Sequence, residues 1–127
     1  MIDRASVDRW LNTYVAAWKS YDRDSIEALF SEDVTYRYRP HGDQIEGRDA
    51  VVDSWLEDDP DETGTYDGAY RAIAVDGGLA VAIGTSTYLT APGGSVDKVY
   101  DNCFVISFDA EGRCRQFTEW FMKRPSV

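Results

Sequence analysis

The sequence has few of the residues that build metal and redox sites, because it holds two cysteines and one histidine in 127 residues. Cys103 and Cys114 lack the C-x-x-C spacing and the flanking basic residues that lower a thiol pKa, so we expect two unbridged thiols packed as small hydrophobes. His41 has no cluster of cysteine and carboxylate at ligand spacing, which argues against a metal site, and its place in a Pro-His-Gly turn favours a solvated loop residue. We therefore expect neither a metal nor a cofactor.

Basic residues and long apolar runs are also scarce. The chain has 13 lysines and arginines against 23 acidic residues, a net charge of -10. Such a surface repels phosphate backbones and anionic lipid, so we expect no nucleic-acid and no membrane partner. No apolar run approaches the roughly 18 residues of a membrane span, and the first residues lack the apolar stretch of a signal peptide, which predicts a cytoplasmic protein. The length predicts a single domain over residues 1–127.

The first half of the sequence has helical periodicity. Apolar residues at spacings of three and four predict an amphipathic first helix over positions 7–21. Asp24, with Glu27 three residues later, predicts the capped start of a short second helix that ends by Ser31. The segment "AVVDSWLED", after Gly47, predicts a third helix. The acidic stretch "EDDPDE" that follows favours a solvated loop over a calcium site, because the ligand spacing of a calcium loop is missing.

The rest of the sequence predicts strands. "DVTYRYRP" alternates as a strand, stops at Pro40 and turns back into "QIEG", which predicts a small hairpin. After Thr63, four strand-like segments are separated by the turn signals "DGG", "APGG" and "DAEG". These short connections predict an antiparallel meander. Three helices followed by one sheet give an α+β domain whose helices cover one face of the sheet.

Three segments resemble the nuclear transport factor 2-like superfamily, in its SnoaL-like (polyketide cyclase-like) branch: "YVAAWKSYDRDSIEALFSEDVTYRYRP", "IEGRDAVVDSW" and "FVISFDAEGRCRQFTEW". The resemblance covers nearly the whole chain. It implies a cone-shaped fold in which three N-terminal helices pack on a curved antiparallel sheet, with a largely apolar pocket open at one end. It also implies a homodimer through the convex face. Ala80, Ala82 and Gly84, small residues on one face of a central strand, suggest where another sheet could approach.

The resemblance also implies site residues. In steroid isomerases of this fold a helix-1 tyrosine donates to the substrate oxygen, and Tyr14 matches that position. Tyr38 stands where those enzymes keep their aspartate base, and the second oxyanion donor aligns nearer Phe104 than Asp101. The first departure removes the base of an isomerase mechanism, and the second removes its second oxyanion donor. Epoxide hydrolases of this fold use an Asp-Arg-Asp set, for which the comparable residues are Asp101, Arg71 and Glu119.

Glu119 is the strongest catalytic candidate from the residues themselves. Alternation in "FTEWF" puts Phe117, Glu119 and Phe121 on one face of a strand. A carboxyl group among aromatic rings is desolvated, which raises its pKa toward the range of a general acid or base. The alternative is a structural ion pair with an arginine, for which the candidates are Arg37, Arg39 and Arg71.

Aromatic residues complete the predicted pocket, because a ring that lines a cavity offers a flat contact area and, in tyrosine and tryptophan, a polar atom. The residues expected to contact ligand are Trp18, Tyr38, Trp55, Phe104, Phe117 and Phe121. Two functions stay open. One is a pocket protein that binds an apolar, ring-containing small molecule, with cofactor-free acid-base chemistry through Glu119 and Tyr14 of isomerase, cyclase, dehydratase or hydrolase type. The other is a non-catalytic binding or dimerisation module with a vestigial pocket.

Overall fold

The computed structural model describes residues 2–57 and 64–125. Its elements in chain order are α1 (Arg4–Ser20), α2 (Arg23–Glu27), β1 (Phe30–Arg37), β2 (Ile45–Glu46), α3 (Arg48–Glu57), β3 (Tyr66–Asp76), β4 (Leu79–Leu89), β5 (Val96–Phe108) and β6 (Cys114–Lys123). Nearly all of the acidic stretch "EDDPDE" lies outside the described residues, so the solvated-loop interpretation stays a prediction. Within the two described ranges, no helix has the length and apolar character needed to cross a membrane.

Helix α1 has the predicted apolar stripe. It begins at a capping box, in which the Asp3 carboxylate accepts from the Ser6 backbone N–H and the Ser6 hydroxyl accepts from the Asp3 backbone N–H. It ends at Tyr21, whose φ of 53° stops the helix. Its buried residues are Val7, Trp10, Leu11, Tyr14 and Ala17. This stripe packs on the inner face of the sheet, where the Tyr14 ring contacts Phe104 and Phe117.

Helix α2 begins two residues earlier than predicted. Its N-cap is Asp22 and not Asp24, because Asp22 is extended and its carboxylate accepts from both the backbone N–H and the hydroxyl of Ser25. Asp24 lies in the first turn, where a negative charge is favourable near the helix N-terminus. The helix ends at Glu27, within the predicted limit of Ser31, and strand β1 begins at Phe30.

The sheet has six strands in the order β2-β1-β6-β5-β4-β3. The meander from β3 to β6 and the β1–β2 hairpin are antiparallel, as predicted. The sheet is not wholly antiparallel, however, because β1 pairs with β6 in parallel, with Tyr36 opposite Phe117. Strand β6, which carries Glu119, therefore lies in the middle of the sheet with a neighbour on each side.

The turn signal "DAEG" predicts a hairpin centred on Ala110 and Glu111, which would pair Cys114 with Ser107. The observed register differs from this prediction by one residue. Cys114 lies opposite Phe108, and not opposite Ser107, because the ladder is interrupted by an irregularity between Ser107 and Phe108. The two cysteines are free, as predicted: Cys114 is buried and Cys103 is half-buried.

The small residues of strand β4, which lies next to the edge strand β3, do not offer a surface to another sheet. Ala80 and Ala82 are fully buried within the core under the helices. Gly84 lies close to the backbone of the neighbouring strand β3, at Ala69 and Tyr70. The suggestion that these residues admit a second sheet was therefore wrong, because they face inward.

Candidate functional site

A cavity of about 1050 Å³ lies between the inner face of the sheet and the helices α1 and α3. Strands β3 to β6 and the loop after β1 contribute to its wall. Seven of the eight tyrosines of the chain line it, namely Tyr14, Tyr21, Tyr38, Tyr66, Tyr70, Tyr88 and Tyr100. The wall is therefore aromatic and also rich in hydroxyl groups, which makes it more polar than the resemblance implies.

Glu119 lies in this wall on strand β6, directly opposite Phe104 of β5. Its Oε2 accepts a hydrogen bond of 2.7 Å from Nδ2 of Asn102. Asn102 is 6% exposed and lies diagonally across the two strands, opposite Phe121. Among the described residues, Asn102 thus gives the carboxyl group a fixed polar neighbour.

None of the candidate arginines forms an ion pair with Glu119 among the described residues. Arg37 donates to groups of the loop that follows β1. The guanidinium of Arg39 lies 5.7 Å from the ring centroid of Phe121. Arg71 is exposed on β3. The structure therefore matches an unpaired carboxyl group and not a structural ion pair.

Burial raises the pKa of Glu119 to about 7, because the anion loses its hydration. The hydrogen bond from Asn102 acts in the opposite direction, since donation to the carboxylate stabilises the ionised form. A carboxyl group with a pKa near neutrality exchanges protons readily at neutral pH, which is the property that a general acid or base needs.

Tyr14 lies in the cavity wall at the centre of the aromatic cluster. Its hydroxyl group is 3.4 Å from the hydroxyl of Tyr36 on β1. Burial raises the pKa of both tyrosines well above the ordinary value, so both keep their hydrogen at neutral pH. Tyr14 is therefore placed as a neutral hydrogen-bond donor beside the cavity.

The other predicted ligand contacts divide into two groups. Trp18, Tyr38 and Phe121 line the cavity, and the Tyr38 hydroxyl forms a 2.7 Å hydrogen bond with Ser54 of α3. The other three predicted contacts are at most 1% exposed and lie in the core behind the wall. These residues are Trp55, Phe104 and Phe117. Their rings support the wall from behind, for example by the stacking of Trp55 on Trp18 at 3.9 Å between centroids.

The three residues of the Asp-Arg-Asp-like set suggested by the resemblance do not lie together in the structure. Asp101 is exposed and pairs with Arg124 through two hydrogen bonds. Arg71 is also exposed, whereas Glu119 lines the cavity. The set fails because successive residues of a strand alternate between faces, and Asn102, not Asp101, shares the inner face with Phe104.

A row of polar side chains in the cavity wall was not predicted. Tyr66 and Tyr70 on β3, Ser86 on β4 and Asn102 on β5 are joined by hydrogen bonds that end at Glu119. The alternation of "NCF" around Phe104 could have placed Asn102 on the inner face. The links to Tyr70 and Ser86 had no such signal, because they depend on the register of four strands.

His41, the sole histidine, is exposed. It lies beside a second cavity of about 730 Å³ that also contacts the exposed residues Trp120 and Met122. It is not part of the wall around Glu119. The sequence expectation of a solvated loop residue fits this position.

Comparison with known proteins agrees with this fold. A profile of the SnoaL-like domain matches residues 11–117. Bal32a, from a soil-derived mobile gene cassette, is 20% identical with a TM-score of 0.69, over 93% of this chain and 90% of that chain. An NTF-2 like protein of unknown function from Burkholderia xenovorans is 15% identical with a TM-score of 0.69, over 97% and 88%.

A third similar structure is an LEH-like epoxide hydrolase of M. tuberculosis, 16% identical with a TM-score of 0.66, over 94% of this chain and 84% of that chain. No curated protein matches the sequence. At these identities the structural likeness concerns the fold alone, whereas the domain profile covers most of the chain. The chain therefore belongs to the SnoaL-like domain family.

Proposed function

We propose that this protein binds a ring-containing small molecule in the cavity and acts on it by cofactor-free acid-base chemistry through Glu119. The observation that supports this proposal is a half-buried carboxyl group, without an ion pair in the described part of the chain, in the wall of a cavity large enough for a ligand of several rings. Trp18, Tyr38 and Phe121 would contact the ligand rings. Tyr14 would donate a hydrogen bond to a ligand oxygen.

The chemistry follows from the two protonation states of Glu119. The carboxylate can take a proton from a carbon next to a carbonyl group: the C–H bond breaks, and its electron pair forms the enolate, whose charge resides on the oxygen. Tyr14, a neutral donor, would stabilise that oxygen. The protonated acid then returns the proton to the same or another carbon, which gives exchange or isomerisation. The same group could activate water in a hydrolase-type reaction.

Proton transfer can be tested without knowledge of the natural substrate. 2-Tetralone, a bicyclic ketone, exchanges its α-hydrogens with D₂O slowly, and NMR measures the rate. We expect the protein to accelerate this exchange and Glu119→Gln to reduce the acceleration by about 10² to 10⁴-fold, the usual contribution of a general acid or base. Equal rates with both proteins would contradict the proposed chemistry.

Ligand binding is tested separately by two tryptophan variants. Trp18 lies in the cavity wall and Trp120 is an exposed tryptophan outside it. We expect Trp18→Ala to weaken binding of the fluorescent probe 2-naphthol and Trp120→Ala to leave it unchanged. Equal effects of the two variants would show that the probe binds elsewhere.

A second candidate is a non-catalytic binding or dimerisation module. It is favoured by the exposed apolar residues of β6, since Trp120 is 44% exposed and Met122 is 75% exposed. Homodimerisation and a cytoplasmic location also remain proposals. Sedimentation at micromolar concentration tests the first, with Trp120→Glu as the variant expected to yield monomer if this surface forms the interface.

A further inference from the structure

Five side chains of the cavity wall form one continuous hydrogen-bonded chain across strands β3 to β6. The Tyr66 and Tyr70 hydroxyls are 2.8 Å apart, and the Tyr70 hydroxyl forms a short hydrogen bond with Ser86 Oγ. Ser86 Oγ donates to Asn102 Oδ1 at 2.8 Å, and Asn102 Nδ2 donates to Glu119 Oε2 at 2.7 Å. We call these five residues the wall chain.

The direction of every hydrogen bond in the wall chain follows from the last one. When Glu119 is ionised it can only accept, so Asn102 presents its NH₂ group to Glu119 and its oxygen to Ser86. Ser86 has one hydrogen, which is used on Asn102, so it must accept from Tyr70. Tyr70 must then accept from Tyr66. All donors therefore point toward Glu119, and the Tyr66 oxygen presents only lone pairs to the cavity.

A second arrangement satisfies the same groups when Glu119 carries a proton on Oε2. The acid donates to Asn102 if the amide turns over, which places its oxygen toward Glu119 and its NH₂ toward Ser86. Ser86 then donates to Tyr70, and Tyr70 donates to Tyr66. The proton on Glu119 comes from water. Every other group keeps its own hydrogens and only changes their direction, so the Tyr66 hydrogen becomes available to the cavity.

Two glycines, one on β3 and one on β4, leave room for the side chains of the wall chain. Tyr66 and Tyr70 extend from the same face of β3 with Gly68 between them, and a Cβ at Gly68 would collide with the Tyr66 hydroxyl and the Tyr70 ring. On the next strand, a Cβ at Gly84 would collide with Tyr70 as well. Two positions without a side chain therefore leave room for the Tyr70 ring, which brings its hydroxyl to Ser86.

Glu119 is the one member of the wall chain that changes protonation near neutral pH. The tyrosines that interact with it from neighbouring elements are Tyr14 on α1, Tyr36 on β1, Tyr70 on β3 and Tyr88 on β4. Burial raises the pKa of each, so they stay neutral. The neighbours of Glu119 on β5 are Asn102 and Phe104, whose side chains have no titratable group. The charged side chains of the cavity wall are Lys19, Arg39, Asp43, Glu57 and Lys98.

We propose that the wall chain couples the protonation state of Glu119 to the hydrogen-bonding direction of Tyr66 at the other end of the wall chain. Asn102, Ser86 and Tyr70 are then positioning residues that transmit this state. The ionised form accepts a hydrogen bond from a ligand at Tyr66, such as one from a hydroxyl group. The protonated form donates to a ligand oxygen there, so it selects a ring compound that bears a carbonyl group at that point.

This proposal rests on the proposed role of Glu119, but its test needs no ligand. The full chain is labelled with ¹³C at the glutamate carboxyl carbon and at tyrosine Cζ, and NMR follows both from pH 4.5 to 9. We expect the Glu119 carbon to titrate with a midpoint of about 7. The Tyr66 Cζ should titrate with the same midpoint, because its hydroxyl changes from donating to Tyr70 to accepting from it.

The variant Ser86→Ala distinguishes an effect on Tyr66 that the wall chain transmits from a direct effect of the electric field of Glu119. In this variant Glu119 should still titrate, which also shows that the protein is folded, but the Tyr66 response should disappear. Ser86→Thr, which keeps the hydroxyl group, should retain the response. Tyr88 provides the control, because its ring contacts Tyr66 but its hydroxyl is not part of the wall chain. A response of Tyr88 to the electric field of Glu119 alone should be the same in the wild type and in Ser86→Ala.

The outcomes distinguish the two proposals. A Tyr66 signal that is flat in the wild type, or that titrates equally in Ser86→Ala, would overturn the coupling and leave the proposed role of Glu119 intact. A Glu119 carbon that keeps an ordinary carboxyl midpoint would overturn both.

Discussion

Asn102 donates its hydrogen bond to Glu119 diagonally across β5 and β6, while the residue directly opposite Glu119 is Phe104. The carboxyl group therefore receives one polar contact and one aromatic contact from the same strand. Replacement of this donor by a residue of similar size, Asn102→Leu, should raise the pKa of Glu119 by about one unit above the wild-type value, because a hydrogen bond to a charged group is lost. Carboxyl ¹³C NMR measures this change, with Cys103→Ser as the neighbouring control. An unchanged or lower midpoint would contradict it.

The stability of the protein should depend on Glu119 in a pH-dependent way. Its pKa is about 7 in the folded state, against an ordinary value of 4.5. The folded state binds more protons than the unfolded state between these values, so the free energy of unfolding of the wild type falls as pH rises through this window. Glu119→Gln cannot ionise. It should therefore match the wild type near pH 4 and exceed it by about 3 kcal/mol at pH 8.

Urea denaturation at both pH values checks this expectation, with Glu111→Gln in the exposed last turn as the control. A loss of stability for Glu119→Gln at pH 8 would show that the carboxylate has a stabilising partner.

The two buried tyrosines should behave as a pair. Tyr14 is 3% exposed and Tyr36 is fully buried, and their hydroxyls are neighbours. Tyr14→Phe leaves the Tyr36 hydroxyl without this neighbour, which should cost about 1 to 2 kcal/mol. The double variant Tyr14→Phe/Tyr36→Phe should cost less than the sum of the two single variants, because no hydroxyl is then left unsatisfied. Additive losses in urea denaturation would rule out this coupling.

The two thiols should differ in reactivity. Cys114 is fully buried and burial raises its pKa, whereas Cys103 is half-buried on the outer side of β5 beside the second cavity. Ellman's reagent should therefore label one thiol per native chain quickly and the second only after unfolding. Cys103→Ser should abolish the fast reaction and Cys114→Ser should not. Fast labelling of Cys103→Ser would contradict the placement of Cys114 in the core.

Gly84 should not tolerate a side chain. A Cβ at this position would collide with the carbonyl oxygen of Ala69 on β3, which is backbone and cannot turn away. Gly84→Ala should therefore destabilise the protein by about 1 to 3 kcal/mol, as overpacking does in a core. Gly42→Ala is the matched control, since its new Cβ would make only an ordinary contact with Arg39. Equal stability of the two variants would mean that β3 and β4 can move apart freely.

Alternation within the last two strands predicted which of their residues face inward, and this part of the interpretation is confirmed. Phe104, Ile106 and Phe117 are buried on the inner face, as the alternation of the last two strands required. The turn signals also marked the ends of the long strands. Alternation shows which face of a strand a side chain takes, but not whether the side chain reaches the cavity or stays in the core. For this reason Phe104 and Phe117 were expected in the cavity wall, although they lie in the core behind it.

Local details that depend on competing interactions were harder to predict. Asp22 and Asp24 both have the chemistry of an N-cap, and only the fixed contact with Ser25 decides between them. The register of the last hairpin depends on an irregularity at Ser107, which has no clear sequence signal. The wall chain depends on the alignment of four strands at once, so its links could not be derived from the neighbours of each residue along the sequence.

The parallel pairing of β1 with β6 has a consequence for folding. It joins residues 30–37 to residues 114–118, so the middle of the sheet forms only when distant parts of the chain meet. Contacts of such wide sequence separation slow folding into the range of milliseconds to seconds, as in other proteins of high contact order. Glu119 lies on the strand that completes this pairing. We therefore expect its carboxyl group to reach its place in the cavity wall late in folding.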